Sequence, residues 1–143
     1  MKKLLIALCL SLLFSVALPG IALANNETHV SAYSTLEPFW ENTATVLVSL
    51  RINHSGQATL LATVSGLAGT ERITATATLV RINANGTTAQ IATWQNLAAQ
   101  GRNLIWEQSH NVSNGSQYRL TITATVTRNG TSETVTVSHV AQA

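Results

Sequence analysis

Four histidines (His29, His54, His110, His139), six glutamates (Glu27, Glu37, Glu41, Glu71, Glu107, Glu133) and three tryptophans (Trp40, Trp94, Trp106) could do chemistry or hold a ligand. A serine triad needs an acid to orient its imidazole. The chain has no Asp and no Gly-x-Ser-x-Gly elbow. Hydrolysis by paired carboxylates needs two acids a few ångströms apart. The glutamates are dispersed, and Glu107 lies beside an aromatic, Trp106. No His-x-His or His-x-x-x-His spacing occurs, and without Asp there is no acidic calcium loop. The residues therefore point away from an enzyme, and neither a metal nor a cofactor is expected.

The tryptophans carry more promise. An exposed indole stacks on the apolar face of a sugar ring, which makes Trp40 and Trp106 candidate ligand-binding residues. The alternative is that Trp94 and Trp106 fill the core and that Trp40 caps an open end of it with Pro38 and Phe39. Thr74, Thr76 and Thr78, the row Thr121–Thr127 at alternate positions, and Thr134 with Thr136 could form a flat binding array. Such arrays need identical spacing across stacked repeats, and the chain has none. Threonine that favours strands and solvates an outer face is the simpler expectation. Asn-x-Ser/Thr sequons occur at Asn26, Asn53, Asn85, Asn111, Asn114 and Asn129; three are Asn-Gly turn signals and read as turn chemistry.

Whatever these residues do, they do it after export. Lys2 and Lys3 precede an apolar run, Leu4 to Val16, then Pro19-Gly20 and Ala22-Leu23-Ala24. That is a signal peptide with an A-x-A cleavage site, and the run is short of the roughly 20 residues a spanning helix needs. The organisation expected is residues 1–24 signal peptide, 25–44 N-terminal extension and 45–143 β-sandwich domain, with no membrane span after cleavage. The formal charge of +2 resides in the two signal lysines; beyond them six arginines balance six glutamates. A neutral surface gives no nucleic-acid footprint. The single Cys9 lies in the signal after Leu8, where a lipobox wants a small residue, so no lipid anchor or disulfide is expected.

Beyond residue 44 the chain alternates apolar and Thr, the period of a half-buried strand. Strands are expected at Thr45–Ile52, Gln57–Ser65, Arg72–Ile82, Thr88–Trp94, Leu104–His110, Gln117–Arg128 and Glu133–Val140, with a short one at His29–Ser34. Asn96–Arg102 is the least regular stretch. His54-Ser55-Gly56 is a turn, and Asn85-Gly86 and Asn129-Gly130 are signals for tight primed turns. Seven or eight short strands without a helix indicate an all-β, antiparallel sandwich or barrel.

Gly115-Ser116-Gln117-Tyr118-Arg119-Leu120 resembles the tyrosine corner of immunoglobulin-like and fibronectin-type-III-like sandwiches. A broader set is similar to a family of small secreted proteins of uncharacterised function from Gram-positive bacteria. It comprises Gly56-Gln57-Ala58, Val64-Ser65-Gly66, Gly69-Thr70, Ile73 to Val80, Gly86, Trp94, Tyr118-Arg119-Leu120, Gly130 and Glu133. The resemblance covers about residues 45–139. It implies an immunoglobulin/fibronectin-III-like β-sandwich, extracellular or cell-surface associated, with Tyr118 as a structural corner and no residue for catalysis. The inter-sheet cysteine pair of antibody domains is missing. The function expected is a non-enzymatic binding or structural module at the cell envelope or outside the cell. Its partner would be an unknown protein or a cell-envelope glycan, the latter held by exposed tryptophans.

Overall fold

A computed structural model describes residues 39–143. The expected signal peptide, the strand at His29–Ser34 and Pro38 lie outside the described residues. Seven strands follow in order: β1 (Thr43–Ile52), β2 (Gln57–Gly66), β3 (Thr70–Ile82), β4 (Thr88–Gln100), β5 (Asn103–Asn111), β6 (Gln117–Arg128) and β7 (Thr131–Gln142). They form two antiparallel sheets, ordered β1-β2-β5 and β4-β3-β6-β7. No helix occurs among the described residues, so none is long and apolar enough to cross a membrane.

The alternation in the sequence builds this arrangement directly. Successive side chains of a strand point to opposite faces. Ala58, Leu60, Ala62 and Val64 of β2 therefore meet Ile73, Ala75, Ala77 and Leu79 of β3 and Tyr118, Leu120, Ile122, Ala124 and Val126 of β6 inside one core. Leu50, Leu104 and Val135 complete it from β1, β5 and β7. Each fully enclosed Val, Leu or Ile side chain contributes about 1.5–3 kcal/mol. On the opposite face of β6 and β7, hydroxyls pair across the strands: Thr121 with Ser138 (2.8 Å), Thr123 with Thr136 (3.2 Å), Thr125 with Thr134 (3.0 Å) and Thr127 with Ser132 (2.9 Å). Register alone lines these residues up, with no repeat in the sequence.

Two expectations need correction. Asn85-Gly86 does not form a primed turn, because only Gly86 has positive φ there (80°). Instead Gly86 N donates to Asn83 O (2.9 Å) and Asn83 N to Thr87 O (2.8 Å), a type I turn closed by a left-handed glycine. The β1–β2 hairpin repeats this pattern at Asn53–Gln57. Asn129 and Gly130, both at positive φ (49° and 75°), do make the two-residue primed turn between β6 and β7. The second correction concerns Asn96–Arg102. β4 runs on to Gln100 instead of ending at Trp94. Its register against β3 shifts twice, between Leu79 and Val80 and between Ala75 and Ala77, with Asn96 at φ 60°. Each β-bulge inserts a residue and resets the alternation. Trp94, Leu97 and Ala99 therefore all pack toward the core despite their uneven spacing.

Packing demands glycine at Gly66, where a Cβ would run into the Thr70 side chain, and at Gly56. The φ of Gly56 is +78°, and a Cβ there would lie 2.5 Å from the carbonyl oxygen of Val112. Its own carbonyl accepts from Val112 N (2.8 Å), tying the β1–β2 turn to the end of β5.

Candidate functional site

A two-sheet sandwich has two lateral sides where edge strands face each other. Here β1 faces β7 on one side and β4 faces β5 on the other. Edge strands carry unpaired backbone groups that must be covered or left available.

The β1–β7 side is closed by polar side chains. Glu133, at the start of β7, accepts from Glu41 N (2.7 Å), Asn42 N (3.0 Å), Thr43 N (3.0 Å) and Thr43 Oγ1 (2.8 Å). Desolvation pushes the Glu133 pKa up, but these hydrogen bonds to its ionised form outweigh it, and the pKa lies below its ordinary value of 4.5. Further along, Leu50 N donates to His139 Nδ1 (2.8 Å), so that nitrogen carries a lone pair. Buried Asn42 adds donations to Thr131 O (3.1 Å) and Val126 O (3.4 Å). These groups hold β1 against the other sheet at its start, near Thr43, and towards its end, at Leu50.

The β4–β5 side is closed by rings. Trp94 of β4 and Trp106 of β5 lie with centroids 5.2 Å apart at 55°. His110 stands edge-on to Trp94 at 5.9 Å and 86°. All three are partly buried, and both indoles pack against the core. Among the described residues no hydrogen bond between side chains links β4 to β5. β5 pairs with β2 through nine consecutive residues without a register shift, and Ile105 beside Trp106 is 73% exposed. Its outer edge is regular, unbulged and free of proline.

At the upper end of this side lies a cleft of about 340 Å³ between Arg81, Ile91, Asn111, Ser113 and Tyr118. Tyr118 itself is enclosed, at 1% exposure. Its hydroxyl donates to Ser113 O (3.0 Å) and accepts from Ser113 N (3.0 Å), fastening the corner between β5 and β6.

The three tryptophans are not brought together. Trp40 packs against the opposite end of the core, partly buried, while Phe39 projects wholly into solvent. The end cap expected of Pro38-Phe39-Trp40 thus corrects to Trp40 among the described residues. Among these residues no three of His, Cys, Asp and Glu gather in a way that could hold a metal ion. Sequence reasoning missed the partnership of Trp94 with Trp106 and His110, because the bulges of β4 hide its alternation. It also missed the anchoring role of Glu133, for which the only signal was an acid at an inward position of β7.

No protein-family model matches the chain, and no curated protein is similar to it in sequence. Among solved structures it is similar to the solution structure of R. palustris CsgH, at 13% identity and a TM-score of 0.37, covering 65% of this chain and 91% of that one. It is also similar to part of the Parabacteroides merdae beta-glucuronidase, at 8% identity and a TM-score of 0.42, covering 67% of this chain and 13% of the enzyme. Both likenesses are remote.

Proposed function

We propose that this protein is an exported, non-enzymatic binding module that acts outside the cell or at its envelope, with the β4–β5 side as its contact region. The observation that carries this reading is the pairing, on one side, of a partly exposed aromatic cluster with an unguarded strand edge. Aromatic side chains supply contact area at low entropic cost, and a regular edge offers backbone groups to a partner strand. Export rests on the Lys2-Lys3, apolar and Ala22-Leu23-Ala24 signature. The finer fold assignment, a fibronectin-III-like sandwich related to small secreted Gram-positive proteins, belongs to the same proposal. Its support is the three-plus-four division of strands and the Tyr118 hydroxyl on the Ser113 backbone.

Two kinds of partner fit a module of this sort, and the Trp94–Trp106 pair favours a glycan. Two partly exposed indoles side by side offer apolar ring surface of the kind that stacks on a sugar, while Trp40 stands apart at the far end. The test is titration of the purified protein with peptidoglycan fragments and envelope polysaccharides, following tryptophan fluorescence and heat. Binding that Trp106→Ala abolishes supports the glycan reading. Silence of all tryptophans toward every glycan, with capture of an envelope protein through β5, moves the reading to a protein partner. Turnover by the purified protein, abolished by one Glu or His substitution, overturns the non-enzymatic reading altogether.

A further inference from the structure

We propose that Arg81 reads a carboxylate on the ligand of the β4–β5 side, so that the glycan this module takes is an acidic one. The inference rests on the glycan reading above and names its chemical class.

Along β3 the inward series Ile73, Ala75, Ala77, Leu79 continues to Arg81, which pairs with Ala89 of β4 and Tyr118 of β6. An arginine thus occupies the last inward position of a core strand. Its Nε donates to Asn83 Oδ1 (3.3 Å), and no other hydrogen bond or ion pair engages the guanidinium among the described residues. Arg81 lines the 340 Å³ cleft described above and a second, of about 540 Å³, toward Asn83, Ser116, Gln117 and Gln142. Neither cleft is lined by an acid. A permanent cation with no acidic side chain among the residues that line its clefts suits an anionic guest. The guanidinium fork matches a planar carboxylate through two parallel hydrogen bonds.

The cleft and the rings form one track. Trp94 pairs with Ala77, four residues before Arg81 on β3, a separation of about 13 Å along the strand. Asn111 lines the cleft, and its neighbour His110 touches Trp94. A sugar chain stacked on Trp94 and Trp106 would place a later residue at Arg81.

The test is calorimetry and tryptophan fluorescence on the purified protein with polygalacturonate, alginate and hyaluronate, each with free and with methyl-esterified carboxylates. At least one free-acid chain should bind ten times or more tighter than its ester. Arg81→Met, which keeps the apolar stem over the core, should bring acid and ester to equal affinity. Arg81→Lys should retain part of the preference, and Trp106→Ala should weaken both forms alike. Equal wild-type affinity for acid and ester overturns the assignment to Arg81 while leaving the glycan reading intact, and needs no variant. A folded Arg81→Met that keeps the acid preference overturns it too. No binding of any acidic or neutral glycan overturns both.

Discussion

The two lateral sides of this sandwich meet the same requirement by opposite means. On the β1–β7 side, Glu133 and His139 accept hydrogen bonds from backbone amides of the neighbouring segment. On the β4–β5 side, Trp94, Trp106 and His110 fill the gap with rings. A charged acceptor aimed at fixed amides is directional, and it leaves no surface to spare. Ring packing draws mainly on buried apolar area, with edge-to-face geometry as a weaker preference, and these rings stay partly exposed. The first side is built for stability, and the second is where the proposed contact region lies.

The largest effect expected belongs to the polar side. Glu133→Ala removes an acceptor from three amides and a hydroxyl, two of the amides belonging to buried Asn42 and Thr43. It should cost about 3 kcal/mol in chemical denaturation. A loss under about 0.5 kcal/mol would mean that water replaces the carboxylate, and the contrast between the sides would fail. The same clamp predicts a pH dependence. Because the folded pKa of Glu133 is depressed, its contribution is complete above the ordinary carboxylate value of 4.5 and is lost as pH falls through the folded pKa. Glu133→Gln should flatten the acid limb of the stability profile, and an unchanged limb would assign it to other groups.

Next comes the aromatic side. Trp106→Ala should cost about 2 kcal/mol, below the roughly 3–5 kcal/mol of a fully enclosed ring, because the indole is only partly buried. A loss at the top of that range would show Trp106 to be core and leave no face for a ligand. Tyr118→Phe should follow at about 1–2 kcal/mol, since it leaves the Ser113 amide and carbonyl without the hydroxyl. An unaltered midpoint would take the corner out of the stability account. The smallest effect is that of His139→Leu, about 1 kcal/mol. Its signature is local: faster hydrogen exchange at the Leu50 amide, with the β4–β5 side unchanged.

Strands with unbroken alternation are legible in the order of residues alone. Tyr118 to Val126 reads as one buried face, and that face is enclosed. The same holds for Ala58 to Val64 and Ile73 to Leu79. β4 is legible only as far as Trp94, because a bulge adds a residue without leaving a mark in composition. Nor can an Asn-Gly pair tell which turn it makes: the five-residue loop at Asn83–Thr87 and the two-residue turn at Asn129-Gly130 differ in the register of their flanking strands.

By itself, the amino-acid order determined the class of structure and much of its core, because period-two alternation is a local property that any strand of this composition must obey. The tertiary structure decided which strands became edges and which inward positions fell opposite each other. Only there do Trp94 and Trp106 meet across two sheets, and only there does Glu133 reach residues about ninety positions away. Such meetings depend on how two sheets stack, and stacking is settled by the shape of the whole core, beyond what any stretch of chain contains.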